Sequence, residues 1–380
     1  MASSTTADAL AAVPFYDLDP ANAPLKAAIV AEFEELVSSG SFTNGPQVAA
    51  FEDAFAAYAG APLCVGLASG LDALRLGLVA LGIEPGDEVL VPANTFIATF
   101  EAIGQAGAVP VPVDATESDL NVDVALLEAA VSPRTKAIVP VHLYGQLADM
   151  REIARIASER GLLVLEDACQ AHGATRDGMR AGTGGVAGAF SFYPGKNLGA
   201  FGDAGALVSG DADLVERVRR LREHGQREKY VHVEEGFTAR LDTVQALVLL
   251  HKLPLLDSWN DQRAAVAAVY EERLQGVGNL KLPPVPEGSR PVWHLYVVRS
   301  QQRHALATHL RERGIGTGLH YPQPPHLSAA YASLGYSAGA FPVTERAANE
   351  VLSLPLFPGM TEAQVEAVCS AVKGFFAGER

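Results

Sequence analysis

Short apolar runs alternate with amphipathic stretches over residues 47 to 210, and this alternation constrains the fold more than any other feature of the chain. Compact runs rich in valine, leucine and alanine are typical of strands buried on both faces. The stretches between them, such as 71–81 and 150–160, carry apolar residues at helical spacing. The pattern predicts an α/β fold with a seven-stranded, mostly parallel sheet covered by helices on both faces. The predicted strands are 63–67, 88–91, 109–113, 137–141, 162–165, 189–193 and 204–208.

The pattern changes after residue 211, where helical stretches at 214–223, 243–256 and 262–275 follow one another. We expect a smaller α+β domain beyond them, with strands at 293–298 and 314–321 and a helix at 304–313. The predicted organisation is an N-terminal arm over 1–24, a large domain over 25–250 and a small C-terminal domain over 251–380.

Composition excludes several classes of function. The 380 residues carry 29 Lys and Arg against 44 Asp and Glu, and the resulting net charge of −15 repels nucleic acids and anionic membrane surfaces. Cys64, Cys169 and Cys369 lack the paired spacing of a zinc site or a disulfide framework, and the histidines lack metal-binding spacing. We find no export signal and no apolar stretch long enough to cross a membrane. A cytoplasmic protein without metal is therefore expected.

Lys196 and Asp167 form the pair that predicts the chemistry. Each follows or ends a predicted strand, and they are 196 − 167 = 29 residues apart. A lysine amine can hold an aldehyde cofactor as a Schiff base, and a carboxylate beside a pyridine nitrogen keeps that nitrogen protonated. Alone, the lysine would be a solvated charge and the aspartate a helix cap. Together they indicate pyridoxal 5′-phosphate with Lys196 and Asp167 as catalytic residues.

Ser69-Gly70-Leu71 follows a predicted strand and opens a predicted helix. The free amides of such a helix, with the serine hydroxyl, can bind a phosphate, although a serine-capped helix is the simpler alternative. The glycine-rich run 182–188 resembles a dinucleotide fingerprint in letters only, because it precedes a strand instead of opening a helix. We therefore reject a dinucleotide site there.

Further motifs are spread along nearly the whole chain. They are Ser41-Phe42-Thr43-Asn44-Gly45-Pro46, Pro92-Ala93-Asn94-Thr95-Phe96-Ile97-Ala98-Thr99, Val141-His142-Leu143-Tyr144-Gly145-Gln146, Arg240-Leu241-Asp242, His320-Tyr321-Pro322 and Leu352-Ser353-Leu354-Pro355-Leu356-Phe357-Pro358-Gly359. With Asp167, Gln170, Ser191, Lys196 and the Ser69-Gly70 turn, they resemble in their order the DegT/DnrJ/StrS family of sugar aminotransferases, which has the aspartate-aminotransferase fold of type I. The resemblance implies that Lys196 carries the cofactor and that Asp167 pairs with its pyridine nitrogen.

The same resemblance implies the other cofactor contacts and a homodimer with shared active sites. In the family an asparagine of the partner subunit reaches the cofactor phosphate; Thr238 occupies that position here, so weaker cofactor retention is expected. Leu71 replaces a commoner threonine and leaves only its amide. The remaining implied roles are Phe96 on the ring face, Gln170 at the ring hydroxyl, Ser191, Ser69 and the Gly70 and Leu71 amides at the phosphate, His320 and Tyr321 near the sugar, and Tyr230 and Arg240 near its diphosphate.

The implied reaction moves an amino group from L-glutamate to a nucleotide-linked ketosugar through pyridoxamine phosphate, with Lys196 moving the proton. The motif wording resembles enzymes that act at carbon 3 of dTDP-linked 3-keto-6-deoxysugars in amino-deoxysugar biosynthesis. Alternatives are a 4-keto sugar nucleotide, a cyclitol ketone, a related dehydratase and a non-catalytic regulator that binds the cofactor. The related dehydratases carry histidine at the position of Lys196, and no DNA-reading region is appended, so an aminotransferase is favoured.

Overall fold

The computed structural model describes residues 12–378. Within this span the α-helices are α1 Asp19–Asn22, α2 Lys26–Ser39, α3 Pro46–Ala59, α4 Gly70–Ala80, α5 Ile97–Gln105, α6 Val124–Ala129, α7 Met150–Arg160, α8 Ala212–Arg222, α9 Thr243–Lys252, α10 Leu256–Leu274, α11 Arg303–Glu312, α12 Pro342–Glu350 and α13 Glu362–Ala377. The strands are β1 Leu63–Leu67, β2 Glu88–Pro92, β3 Val109–Val113, β4 Thr135–Ile138, β5 Leu163–Asp167, β6 Thr175–Arg176, β7 Met179–Arg180, β8 Ala187–Ser191, β9 Gly205–Ser209, β10 Gln226–Glu228, β11 Val231–His232, β12 Ser289–Arg290, β13 Tyr296–Arg299 and β14 Val351–Leu354.

The main sheet has seven strands in the order β1-β9-β8-β5-β4-β2-β3. The pairs from β8 through β5, β4 and β2 to β3 are parallel, whereas β9 runs antiparallel to both of its neighbours. Each predicted run contributes a strand, so the α/β prediction of a mostly parallel seven-stranded sheet is confirmed. The predicted and observed strand ends differ most at β4, which stops at Ile138 instead of residue 141.

The sheet separates two apolar clusters because successive side chains of a strand point to opposite faces. Phe190 and Val208 pack on one face with Phe51 and Phe55 of α3. On the other face, strand residues such as Leu165 and Leu207 pack with residues of α4, α5 and α8. Helices on both faces explain why the central strands are apolar throughout instead of alternating with polar residues.

A third apolar cluster lies between α10, α11 and α13 and the antiparallel pair β13–β14. The predicted helix at 304–313 is present as α11. The predicted strand at 314–321 is wrong. That segment makes only isolated bridges, from Ile315 to Val13 and from Gly318 to Ser353, while β14 takes the place beside β13.

Helix α10 connects these clusters, since Leu256 belongs to the sheet-side core and Tyr270 to the third cluster. The predicted boundary near residue 250 falls at the end of α9, and the division into 25–250 and 251–380 stays a prediction. Residues 1–11 of the predicted arm lie outside the described residues. Between residues 12 and 378, no helix combines the length and apolar character needed to cross a membrane.

Candidate active site

The topology brings several predicted site residues to the carboxyl edge of the sheet. Asp167 is the last residue of β5, Ser191 is the last residue of β8, and Ser69 follows β1 directly before α4. Gly205 begins the antiparallel strand β9 at the same edge, opposite Ser191. Open α/β sheets bind ligands at this edge, because the loops that leave the strands meet there.

Asp167 is nearly buried, with 7% of its surface exposed, and two donors hold its carboxylate. The Thr99 hydroxyl donates to Oδ2 at 2.8 Å, and the Cys169 amide donates to Oδ1 at 3.2 Å. A carboxylate offers about four acceptor positions, so about two remain for another donor. Asp167 is therefore fixed in place but not saturated with hydrogen bonds.

Lys196 lies in a tight turn after β8, and its amide donates to the Tyr193 carbonyl at 2.8 Å. Burial lowers the pKa of the Lys196 amine, although the neighbouring Cys169 and Asp167 side chains oppose the shift. The next residue anchors the turn, because Asn197 Nδ2 donates to Asn260 Oδ1 and to the Val292 carbonyl, both at 2.8 Å. A lowered pKa increases the neutral fraction of the amine, and the neutral amine is the nucleophilic form.

Ser69, Gly70, Ser191 and Gly205 form a close-packed cradle at the start of α4. Ser69 caps the helix by accepting a hydrogen bond from the Asp72 amide at 3.0 Å. A Cβ atom on Gly70 would lie 2.6 Å from the Ser191 Cβ, and one on Gly205 would lie 2.3 Å from the Ser69 carbonyl carbon. Glycine is needed at both positions, and the free amides of α4 are the donors that an anion requires.

Phe96, Tyr321 and Gln170 lie together near Asp167. The Phe96 ring is 49% exposed, and its centroid is 5.2 Å from that of Tyr321. Gln170 Nε2 donates to the Tyr321 hydroxyl at 3.1 Å, while Gln170 Oε1 accepts from the Tyr144 amide at 2.6 Å. Burial raises the pKa of Tyr321, so its hydroxyl stays protonated. The Gln170 amide retains one N–H for another acceptor.

His320 is held on three sides. Its Nδ1 lies 2.7 Å from Ser353 Oγ, its ring stacks on Phe15 with centroids 5.6 Å apart, and its carbonyl accepts from the Tyr144 hydroxyl. Burial lowers the pKa of His320 to about 4, and the positive charge of Lys196 acts in the same direction. The imidazole is therefore neutral at physiological pH.

The structure does not bring all predicted residues together within one chain. Tyr230 is 81% exposed, and its described contacts are with Gln226 and Lys229. Arg240 bridges to the backbone of Leu67 at the end of β1 and pairs with Glu223 at 2.9 Å. Thr238 Oγ1 is 3.3 Å from His224 Nε2. The roles of Tyr230, Thr238 and Arg240 stay predictions.

The glycine-rich run that resembled a dinucleotide fingerprint surrounds the buried carboxyl group of Glu166. The amides of Gly182, Gly184 and Gly185 donate to its carboxylate at 2.8, 2.6 and 2.8 Å. His142 Nε2 lies 2.7 Å from Glu166 Oε2, and both side chains are fully buried. Sequence reasoning missed this cluster because Gly182 is 16 residues from Glu166 along the chain and His142 is 24 residues from it.

Two further histidines near Lys196 were also missed. His172 Nε2 donates to the Ser191 carbonyl at 2.9 Å, and burial lowers the pKa of His172 to about 3. His294 Nδ1 lies 3.2 Å from Asn197 Oδ1, and burial holds the pKa of His294 well below its usual range. Lys196 acts in the same direction on both rings. Spacing along the chain does not identify them, because His172 contacts the backbone of Ser191 and His294 contacts Asn197 in the turn after β8.

No group of three or more His, Cys, Asp or Glu side chains suited to a metal occurs in the part of the chain that the structure describes. The site instead fits an anionic heterocycle that carries an aldehyde. It offers a partly buried amine of lowered pKa, a carboxylate with open acceptor positions and a cradle of free amides that a Cβ atom would fill. Pyridoxal phosphate has a matching group for each of these three features.

Comparisons with known proteins agree with this chemistry. Residues 24–373 match the DegT/DnrJ/EryC1/StrS aminotransferase family. A transaminase from Streptomyces venezuelae, named for dTDP-3-amino-3,4,6-trideoxy-alpha-D-glucose, is 48% identical over 361 residues, which span 95% of each chain.

Two solved structures are also similar to this chain. The S. venezuelae protein DesV, determined in complex with a ketimine intermediate, has a TM-score of 0.94 at 47% identity and covers 96% of this chain and 98% of its own. NtdA from Bacillus subtilis, with bound cofactor PMP, has a TM-score of 0.90 at 33% identity and covers 96% of this chain and 85% of its own.

Proposed function

We infer the function of this chain from the family to which it belongs, the DegT/DnrJ/EryC1/StrS aminotransferases, and from its cofactor, pyridoxal 5′-phosphate. We propose that it transfers the amino group of L-glutamate to a nucleotide-linked ketosugar of the dTDP-3-keto-6-deoxyhexose class, in amino-deoxysugar biosynthesis. The observation that carries this proposal is the partly buried Lys196 amine, whose pKa is lowered beside the open carboxylate of Asp167.

The proposed mechanism assigns each role to a residue of this chain. When bound, the cofactor supplies an aldehyde for an amine and a ring that withdraws electrons. Lys196 would attach to that aldehyde and, once released, its neutral Nζ would move the proton at the reacting carbon of the substrate. Asp167 would pair with the pyridine nitrogen and stabilise positive charge there.

The remaining cofactor contacts follow from the cradle and its surroundings. Ser69, Ser191 and the amides of Gly70 and Leu71 would hold the phosphate at the start of α4, where the helix dipole favours a negative charge. Phe96 would cover the ring face, and the free N–H of Gln170 would reach the ring hydroxyl. Thr238 of a partner subunit would complete the phosphate site.

The acceptor substrate is proposed from the relative named as a dTDP-amino-sugar transaminase. His320 and Tyr321, which lie beside Phe96 and Gln170, are the proposed contacts to the sugar. Tyr230 and Arg240 are the proposed contacts to the diphosphate. The exposed position of Tyr230 suits a residue that reaches a neighbouring subunit.

An exposed apolar stripe supports a homodimer. Val30, Phe33 and Val37 of α2 are 48%, 42% and 52% exposed, and their spacing places them on one face of the helix. Phe42 and Phe201 are also about half exposed and contact Thr243 and Gln245 at the start of α9, against which α2 packs. Contiguous apolar surface of this kind is typical of an interface. We propose that it packs against a second copy of the chain.

Two experiments test the proposal. Borohydride reduction of the enzyme with pyridoxal phosphate, followed by peptide mapping, should place the cofactor on Lys196; another lysine would contradict the assignment. Glutamate should then yield its keto acid with a 3-keto sugar nucleotide and not with cyclitol ketones or 4-keto sugar nucleotides. Cofactor binding without any conversion of amino donors would instead indicate the non-catalytic regulator.

A further inference from the structure

Three buried side chains form a line that ends at Asp167. Thr95 Oγ1 lies 2.9 Å from Thr99 Oγ1, and Thr99 Oγ1 lies 2.8 Å from Asp167 Oδ2. Their exposed fractions are 2%, 1% and 7% in that order. Thr95 immediately precedes Phe96, and Thr99 lies in the first turn of α5. One short segment therefore supplies both hydroxyls and the aromatic ring beside the site.

The direction of the protons in this line follows from the donors and acceptors. An ionised carboxylate only accepts hydrogen bonds, and a hydroxyl has one hydrogen to donate. The Thr99 hydrogen is therefore directed to Asp167, and Thr95 must donate to Thr99. Hydrogen bonds to the charged form of an acid stabilise that form, and donors in series strengthen each other in a buried site.

We propose that Thr99, supported by Thr95, is a positioning residue that holds the Asp167 carboxylate in one orientation for the pyridine nitrogen of the cofactor. The inference rests on the proposed function. The other titratable groups that face Asp167 are Cys169, Lys196 and Tyr321. With Oδ2 held by Thr99 and Oδ1 by the Cys169 amide, the carboxylate has no freedom to rotate away from an incoming ring.

A second threonine–aspartate pair in the same chain is a matched control. Thr344 Oγ1 donates to Asp114 Oδ1 at 2.7 Å, and both residues are buried. Asp114 also accepts from the amides of Ala115, Val343 and Thr344, so it ties α12 to the loop after β3. The hydrogen-bond chemistry is the same, but no cofactor contact is proposed at Asp114.

The test measures cofactor affinity by equilibrium dialysis of the purified, cofactor-stripped enzyme with pyridoxal phosphate. Thr99→Val removes the hydroxyl and keeps the shape, so the dissociation constant should rise about tenfold, the cost of one hydrogen bond to a charged group. Thr99→Ser should stay within about twofold of wild type, because it keeps the donor. Thr95→Val should weaken binding by about threefold, and Thr344→Val should leave it unchanged.

A spectroscopic measurement separates positioning from simple loss of packing. The visible absorption of the cofactor attached at Lys196 reports the proton on the lysine nitrogen. Weaker pairing of Asp167 with the pyridine nitrogen leaves less positive charge on the ring. The lysine nitrogen then binds its proton more tightly. The pH midpoint of the absorption change should therefore move upward in Thr99→Val and return toward wild type in Thr99→Ser.

Wild-type affinity together with a wild-type midpoint in Thr99→Val would overturn the inference, while labelling of Lys196 in the parent enzyme would still support the proposed function. If Thr99→Val does not fold, as judged by circular dichroism, Thr95→Val decides by the same two measurements. A parent enzyme that does not bind pyridoxal phosphate would contradict the proposed function itself.

Discussion

Glu166 and Asp167 are consecutive acids at the end of β5, yet their surroundings differ completely. Glu166 is fully buried and accepts four hydrogen bonds, from His142 and from the amides of Gly182, Gly184 and Gly185, which uses its whole acceptor capacity. Asp167 points to the other face of the strand, accepts two hydrogen bonds and lies near the Lys196 amine.

This difference shows that burial alone does not identify a functional carboxylate. A saturated acid such as Glu166 stabilises its own neighbourhood, because every acceptor position is occupied. An acid with open acceptor positions beside an amine of lowered pKa retains the capacity to bind a ligand. The two residues can be told apart by experiment, because changes at one should affect chemistry and changes at the other should affect stability.

The largest effect is expected for Lys196→Ala, which removes the proposed attachment point of the cofactor and the proposed proton carrier. Turnover should fall by at least about 10⁴-fold, while the free energy of unfolding of the cofactor-free enzyme should change little or increase, since an uncompensated buried amine is lost. Single-turnover kinetics and denaturant unfolding measure the two quantities.

Lys252 is the matched control for this change. It is also buried, and burial lowers the pKa of its amine to about 8, but its Nζ donates to the Gly199 carbonyl at 2.7 Å. Borohydride should leave Lys252 unlabelled in the parent enzyme. Cofactor attached to Lys252 would contradict the assignment of Lys196 as the residue that holds the cofactor.

Asp167→Asn keeps the shape of the side chain and removes its charge. Because an amide cannot stabilise a protonated pyridine nitrogen, turnover should fall about 10³-fold and cofactor affinity should fall with it. Steady-state kinetics under saturating cofactor separate the two losses. Activity close to that of the parent enzyme would show that the open acceptor positions have no chemical role.

Glu166→Gln is the corresponding change at the acid whose acceptor positions are all occupied. The amide oxygen can accept only two of the four donors, and its NH₂ group opposes the others, so the free energy of unfolding should fall by about 3 kcal/mol. Turnover per folded molecule should remain within about threefold of the parent enzyme. A large loss of turnover at full stability would remove the distinction between the two acids.

The smallest expected effect is the pH dependence of the free energy of unfolding. The pKa values of His172 and His320 are lowered to about 3 and about 4 in the folded state, against an ordinary value of 6.5. As pH falls below 6.5, the unfolded chain binds protons that the folded chain does not. Their contribution to the free energy of unfolding is therefore fully present well above pH 6.5, and it is lost progressively as pH falls through 6.5 toward the folded values.

From pH 7.5 to pH 6.0 the loss should be about 0.8 kcal/mol for each of these two histidines. Urea unfolding of the cofactor-free enzyme at both pH values measures it. His172→Gln, which can still donate to the Ser191 carbonyl, should reduce the slope, whereas His304→Gln on the exposed surface of α11 should not.

The parts of the fold that follow from local pattern were predictable from the sequence. Apolar runs bounded by turn residues located all seven strands of the main sheet, and Asp167 was correctly placed at a strand end. The segment 314–321 also looked like a strand, but strand formation depends on a partner. The residues beside β13 come from Val351–Leu354, more than 30 positions later in the chain.

Contacts between distant residues were not predictable. Thr99 reaches Asp167 across 68 positions, and the glycines that enclose Glu166 gave a pattern typical of a ligand loop. The antiparallel direction of β9 was equally hidden, because a short apolar run has no intrinsic direction. These features depend on how the elements assemble, which spacing along the chain does not encode.

The irregular segment that includes His320 and Tyr321 has a practical consequence for redesign. Its backbone bridges to Val13 and Ser353, and its side chains also contact Gln170 and Phe96, whereas the cradle and the two consecutive acids belong to the central sheet. Libraries confined to residues 314–323 would therefore vary the acceptor end of the pocket without touching the sheet. A laboratory seeking new aminated products could randomise that stretch while retaining Tyr321, which contacts the proposed cofactor residues Gln170 and Phe96.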